Sequence, residues 1–288
     1  MPLLLGGFPG TAVGKRARRL DGAAEPQRQT MIGVFGGSGF YSLLEDVEDV
    51  EIETPYGRPS APIAIARVEG VRVAFLPRHG RDHELPPAQI PYRANVWAMR
   101  ELGVRRLIGP NASGALQPEL RLGEFVVCDQ FVDRTSGRAD TFYEGPETRH
   151  VAAADPYCPD LRRLLVETAR ELDIPVRDGG TVVAVQGPRF STRAESRWYA
   201  AMGWDVVNMT AYPEGWLARE LELCYANVSM VTDHDVGVEG GETVLQETVL
   251  RVFETNLVRL RELLFAVIPK IGTQPNDVCA NALRGARF

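Results

Sequence analysis

The segment 206–214, VVNMTAYPE, constrains the fold more than any other part of the chain, because it forces three backbone states within one short stretch. Asp205-Val206-Val207 reads as a short apolar strand, and Pro213 keeps Tyr212 out of helical conformation. A helix then starts at Pro213-Glu214-Gly215-Trp216, since proline in a first helical turn sacrifices no hydrogen bond. Asn208, Met209, Thr210 and Glu214 are thereby delivered to the carboxyl end of a strand. In open α/β sheets ligands bind there, because the loops are free of packing duty and helix N-termini aim N–H groups at them.

The remaining chain is compatible with one large domain. It has 288 residues, 44% of them hydrophobic, enough for a substantial core. The formal net charge of -6 argues against bulk electrostatic binding to nucleic acid or an anionic membrane, so any anion site must be a local pocket. Cys128, Cys158, Cys224 and Cys279 lie far apart without C-x-x-C spacing, which fits neither a zinc framework nor a disulfide scaffold. A reducing cytoplasm is the expected compartment. No run approaches the length needed to cross a bilayer. Residues 1–30 read as a flexible extension: Leu3-Leu4-Leu5 is too short for a signal-peptide core, and the basic residues 15–19 follow it instead of preceding it.

Taken in order, strand 31–35 runs into Gly36-Gly37-Ser38-Gly39, a turn whose N–H groups can converge on an anion. It lacks the third glycine of a dinucleotide fingerprint and the Gly-Lys-Ser/Thr of a P-loop. A hairpin, Ile63–Val68 and 71–76 around Glu69-Gly70, delivers Arg78-His79, a cationic fork suited to phosphate. His79 and His83 are spaced i, i+4, but no further ligand accompanies them, so no metal is expected. Helix 88–102 precedes strand 104–108, which opens onto the small residues Gly109-Pro110-Asn111-Ala112-Ser113-Gly114. The segment 136–156, containing His150, is long, polar and irregular, as functional or mobile loops are.

After helix 159–172, strand Thr181–Val185 ends in GPRFSTRAE, residues 187–195. Phe190 and Ser191 are adjacent there, suited to stacking on a purine and bonding its edge. Strand 225–231 hands over to Thr232-Asp233-His234-Asp235, whose carboxylates at i and i+2 face one way on extended chain. Amphipathic helix 243–268 closes the domain, and the tail 272–288 shows little periodicity. No hydrolase elbow, metal cluster or nicotinamide fingerprint appears. An anion site beside a carboxylate pair suits phosphorolysis of an N-glycosidic bond, which needs a nucleophile at C1' and a proton for the departing base.

Asn208-Met209-Thr210 with Pro213-Glu214, the GPRFSTRAE run, the TDHD segment, the Gly-Ser turn and Arg78-His79 together resemble the trimeric purine nucleoside phosphorylase and methylthioadenosine phosphorylase family. The resemblance spans residues 31–271. It implies a single α/β domain over those residues, a central mixed β-sheet flanked by helices, and a homotrimer with sites at its interfaces. Phosphate would be held by Ser38, Arg78, His79, Asn111, Ala112 and Thr210. Asn208 and Met209 would meet the ribose, Phe190 and Ser191 the purine, and His150 would reach the 5' end in a neighbouring subunit. Asp233 would protonate the base as catalytic acid with Asp235 as its partner, and an ionised aspartate favours 6-aminopurines by accepting from the amino group. The implied reaction converts S-methyl-5'-thioadenosine and phosphate to adenine and 5-methylthioribose-1-phosphate, a step of purine and methionine salvage. Phosphate is a co-substrate and no cofactor is implied.

Two positions keep a broader purine nucleoside phosphorylase open. Asn111 stands where methylthioadenosine phosphorylases tend to carry threonine, and Gln246 falls about where they have an apolar residue against the methylthio group. Some relatives carry a C-x-C bridge near the C-terminus; only Cys279 is present here, so no such disulfide is expected.

Overall fold

The computed structural model describes residues 31–36, 47–238, 245–272 and 278–287. Ser38 and residues 243–244 therefore lie outside the described residues. In chain order the elements are β1 (Met31–Gly36), β2 (Glu48–Val50), β3 (Ile63–Val68), β4 (Val71–Pro77), α1 (Tyr92–Glu101), β5 (Val104–Ala115), β6 (Phe125–Val127) and β7 (Gln130–Arg134). There follow α2 (Pro159–Glu171), β8 (Val176–Asp178), β9 (Thr181–Val185), α3 (Arg193–Ala201), β10 (Val206–Asn208), α4 (Ala211–Glu220), β11 (Cys224–His234) and α5 (Gln246–Val267). Among the described residues all eleven strands join one mixed sheet with a main path of β2-β3-β4-β1-β5-β10-β9-β7, while β11, β6 and β8 branch from β5.

The long strand β5 organises this sheet. One edge pairs with β11, in parallel, almost from end to end. The other edge is shared: β1 runs parallel to its first half, and antiparallel β10 reaches only Gly114 and Ala115. Between those two partners the β1/β10 side of β5 opens at residues 109–113, a crevice of the kind that binds ligands in α/β sheets. The sequence suggested that this strand ends at residue 108. Pairing with β11 carries it through Gly109-Pro110-Asn111, overriding the low strand propensity of those residues.

Alternation along the central strands sends side chains into two cores. Val34, Phe75 and Ile108 pack with Leu161 and Leu165 of α2 and Leu260, Leu263 and Leu264 of α5. Their neighbours Phe35, Leu76 and Leu107 pack with Val96 and Met99 of α1 and Leu217 of α4. Helices on both faces are what a sheet with so many buried strands requires.

Helix α1 begins at Tyr92, later than the expected residue 88, because Pro87–Gln89 forms a 3-10 turn and Pro91 stands directly before the helix. Tyr212 has φ -117° and ψ 136° inside the span of α4, so the true helix starts at Pro213 as the sequence demanded. The C-terminal segment is more integrated than its lack of periodicity suggested. Cys279 is buried in the same core as Cys158 and Cys224, and the three sulfur atoms lie within 4.8 Å of one another. Sequence separation gave no sign of that convergence. Among the described residues no helix is long and apolar enough to cross a membrane.

Candidate active site

The crevice beside β5 is a cavity of about 670 Å³, within the range that holds small organic ligands. Its floor is Pro110 to Gly114 of β5, and one wall is the turn after β10, Asn208-Met209-Thr210. Pro188, Phe190 and Ser191 form a second wall, Asp233 and Asp235 close one end, and Val249, Phe253 and Leu257 of α5 cover it. Arg78 and His79 enter from the end of β4.

Arg78 is fixed before any ligand arrives. Its Nε donates to Glu214 Oε2 at 2.7 Å, its Nη2 to Glu214 Oε1 at 2.9 Å and its Nη1 to the Pro110 carbonyl at 2.7 Å. Tyr225 Oη donates to the same Glu214 Oε1 at 2.7 Å. Both members of the ion pair are buried. Burial alone would pull the guanidinium down, but the Glu214 carboxylate outweighs it and leaves Arg78 raised. Three of the five N–H groups of the guanidinium are thus committed and two remain. Gly109 makes room for this arrangement, since a Cβ there would stand 2.0 Å from Tyr225 Oη and 2.6 Å from Glu214 Oε1.

His79 departs from the expected cationic fork. Desolvation, with Arg78 and His83 nearby, lowers its pKa from 6.5 to about 4 despite the bond to Leu85. The Leu85 carbonyl, 2.8 Å from Nδ1, can only accept, so Nδ1 carries the proton and Nε2 presents a lone pair. The fork is therefore one cation and one neutral imidazole. Because the folded pKa is depressed, the associated stability is present above pH 6.5 and lost as pH falls through about 4. His79→Gln should accordingly lose less melting temperature than the parent between those pH values, as differential scanning fluorimetry would read.

A buried polar chain orients two further cavity-lining groups, Asn111 and Thr210. Asn227 Nδ2 donates to Asn111 Oδ1, so Asn111 turns its Nδ2 to Thr210 Oγ1 at 2.8 Å. Asn208 Oδ1 accepts from the backbone N–H groups of Thr210 at 3.3 Å and Ala211 at 3.1 Å, fixing the turn between β10 and α4. The Thr210 hydroxyl hydrogen is left to point elsewhere.

At the far end, Asp233 and Asp235 both face the cavity, although a register shift interrupts β11 between Val231 and Asp233. Gly114 lies opposite, where a Cβ would stand 3.1 Å from Asp233 Oδ2 and 3.4 Å from Asp235 Cβ. Burial pushes the Asp233 carboxyl up; Thr232 partly offsets this and the neighbouring Asp235 adds to it. Asp235 is also raised by burial, against hydrogen bonds from Ser196 and Ser191. Its Oδ2 is buried without a hydrogen-bond partner. Two carboxyls in a dry pocket, each shifted up, keep a proton to higher pH than exposed carboxyls do.

A fixed guanidinium and a raised carboxyl pair share one cavity, and comparison with known families places the chain. The model of the phosphorylase superfamily matches residues 31–269. The chain belongs to the phosphorylase superfamily. Among its relatives, the S-methyl-5'-thioadenosine phosphorylase of Pyrococcus horikoshii is 53% identical over 253 residues, covering 88% of this chain and 97% of that one. The purine nucleoside phosphorylase of Streptomyces coelicolor is 52% identical over 265 residues, covering 88% and 94%. Among solved structures, methylthioadenosine phosphorylase from Schistosoma mansoni in complex with adenine superposes with a TM-score of 0.84 at 37% identity, covering 90% of this chain and 99% of that one. Further solved forms of the schistosome protein, described as an adenosine/methylthioadenosine phosphorylase, exchange a serine for threonine, an asparagine for threonine and a glutamine for leucine.

In this superfamily member the structure brings together Arg78, His79, Asn111, Ala112, Phe190, Ser191, Asn208, Met209, Thr210, Asp233 and Asp235 around one cavity. Gln246 is the first residue of α5, one turn before the cavity-lining Val249, and its side chain lies outside the described residues. His150 is not brought to the cavity within one protomer. It is exposed beside Pro146, Glu147, Thr148 and Arg287, with its N–H donating to the Ala286 carbonyl at 2.9 Å. Sequence reasoning missed the α5 lining, readable only as an apolar stripe, and Ser196, hidden in the first turn of α3. Of GPRFSTRAE, Phe190 and Ser191 line the cavity, and the residues after them serve the start of α3. Thr192 and Glu195 form a capping box at the start of α3, and Arg189 binds Glu195 through two bonds of 2.7 Å.

Proposed function

We propose that this protein cleaves a 6-aminopurine nucleoside by phosphorolysis, with S-methyl-5'-thioadenosine as the preferred substrate, giving adenine and 5-methylthioribose-1-phosphate. The observation that carries the reading is the placement of a raised-pKa aspartate pair and a preset guanidinium at opposite ends of one cavity. The two remaining N–H groups of Arg78, the Thr210 hydroxyl and the backbone at Ala112 bind phosphate, and neutral His79 accepts from a phosphate hydroxyl. A phosphate oxygen bonds to C1' as the C1'–N9 bond breaks, and the electron pair passes to the purine. Asp233 delivers its proton to N7, and the resulting carboxylate is reprotonated from solvent. The negative phosphate also stabilises the oxocarbenium character of the ribose. Asp235 accepts from the 6-amino group, which disfavours a 6-oxo purine. The site is completed in a homotrimer, where His150 of one subunit meets the cleft of the next. The reaction serves purine and methionine salvage.

Adenosine is the second reading, and Asn111 and Gln246 favour it. The schistosome protein described as acting on both nucleosides has an asparagine and a glutamine that were each exchanged in solved variants. A glutamine can hydrogen-bond a 5'-hydroxyl where an apolar residue cannot.

Base release from methylthioadenosine, adenosine and inosine, each with and without phosphate, tests both readings. Phosphate-dependent release from the two adenine nucleosides and little from inosine is expected, and Gln246→Leu should lower kcat/KM for adenosine about tenfold or more while sparing methylthioadenosine. Inosine cleavage at a comparable rate would overturn the role given to the aspartates.

A further inference from the structure

Arg138 lies in the irregular segment after β7 and lines no part of the cavity, yet its guanidinium is spread across the back of both ligand-facing loops. The two hydrogens of Nη1 are shared among Tyr212 O at 2.6 Å, Met209 O at 2.9 Å and Tyr92 Oη at 3.2 Å. Nη2 donates to Gln186 O at 2.9 Å and Val185 O at 3.3 Å. None of these acceptors is a carboxylate: four are backbone carbonyls and the fifth is the Tyr92 hydroxyl, and the guanidinium carbon also lies 5.4 Å from the centre of the Tyr92 ring. Burial pulls its pKa down, with partial recovery from the electrostatics of Tyr92, Asp133 and Tyr212. An arginine that kept its place only for stability would be expected to find an anionic partner.

The acceptors locate its task. Val185 and Gln186 end β9 and begin the loop to Pro188, Phe190 and Ser191; Met209 and Tyr212 belong to the turn after β10. The β9–β10 ladder closes at Asn208 opposite Ala184, and beyond that pair the two chains separate to form the two walls of the cleft. Arg138 spans them just past the last ladder pair. The strap is secured on either side by Ser136 N donating to Gln186 Oε1 at 3.0 Å and Tyr212 Oη donating to Asp140 Oδ2 at 2.6 Å. The walls approach closely there, since a Cβ at Gly187 would stand 2.5 Å from Met209 Sδ.

We propose that Arg138 is a positioning residue that fixes the separation of the two walls gripping the nucleoside, an inference that rests on the phosphorolysis reading above. The four hydrogens on the two Nη groups of a planar guanidinium reach carbonyls of two loops at once, with Nε buried and without a hydrogen-bond partner, whereas a lysine ammonium offers three donors at one point. The phosphate end is held by separate ties, Glu214 on Arg78 and Asn111 on Thr210. Loss of Arg138 therefore falls mainly on the nucleoside, with Thr210 kept in place by Asn111.

The test is steady-state kinetics of Arg138→Ala and Arg138→Lys with each substrate varied in turn, together with melting temperatures and added guanidinium. Nucleoside KM should rise about tenfold or more in Arg138→Ala while phosphate KM stays within about threefold. Millimolar guanidinium should draw the nucleoside KM of Arg138→Ala back towards the parent value and leave the parent unchanged, with Arg138→Lys intermediate. Equal loss for both substrates, or a lowered melting temperature with unchanged nucleoside KM, would overturn the proposal. Should Arg138→Ala not fold, the same KM split is required of Arg138→Lys. Failure of the function itself is distinguishable, because the parent protein would then release no base with phosphate; adenine binding followed by tryptophan fluorescence would still report whether Arg138→Lys weakens the base site.

Discussion

Asp233→Asn is expected to lower kcat for adenine release by about 10²- to 10⁴-fold, the range over which a positioned general acid contributes, while phosphate KM changes little. The asparagine keeps the shape and can still donate to N7, so base binding should survive; what it cannot do is give up a proton as the C1'–N9 bond breaks. The distinction is measurable as a fall in kcat larger than any rise in nucleoside KM. The pH profile gives an independent reading. Asp233 must be protonated to act, and burial holds its pKa above the ordinary carboxylate value. Activity in the parent should fall as pH rises through that pKa, and the Asp233→Asn profile should lose this limb. Asp235→Asn separates the two roles: it should act mainly on discrimination between amino and oxo purines. If instead Asp233→Asn turns over within about tenfold of the parent and Asp235→Asn does not, the proton belongs to Asp235, whose Oδ2 is buried without a partner.

These assignments show which parts of the site a sequence can reveal. The strand, the displaced Tyr212 and the helix after Pro213 follow from local sterics, so nine consecutive residues sufficed to place Asn208, Met209 and Thr210 at a strand end. The aspartate pair was legible for a similar reason, since alternation along extended chain is local. What could not be read depends on distant partners. The second half of β5 exists because β11 pairs with it, and Gly109-Pro110-Asn111 on its own looks like a loop. His79 looked cationic beside Arg78; its neutrality comes from burial next to Arg78 and His83, against the opposing pull of the Leu85 carbonyl, which no composition reports. Arg138 stood in a segment noted only for irregularity, and its acceptors are scattered from Tyr92 to Tyr212.

Removing Glu214 is expected to have the largest effect on stability. Glu214→Ala leaves the Arg78 guanidinium buried without its counter-ion, a change that costs about 3–5 kcal/mol when one partner of a buried pair is deleted. The Tyr225 hydroxyl loses its acceptor as well. Tyr225→Phe alone should cost less, about 1–3 kcal/mol, because Glu214 keeps both bonds from Arg78. Urea denaturation would rank the two.

The reason such a pair is retained can be tested with Arg78→Met/Glu214→Leu. Buried ion pairs can often be exchanged for apolar residues at no net loss, because the desolvation of both charges disappears with the pair. The double variant should therefore be more stable than Glu214→Ala, yet it removes the guanidinium that lines the cavity, with its two uncommitted N–H groups, and the carboxylate that holds it. Phosphate saturation should be lost while the fold returns. That outcome would assign the pair to ligand binding, with Glu214 acting through Arg78. Retention of an ordinary phosphate KM in a stable double variant would place the anion site elsewhere in the cleft and sink the role given to Arg78.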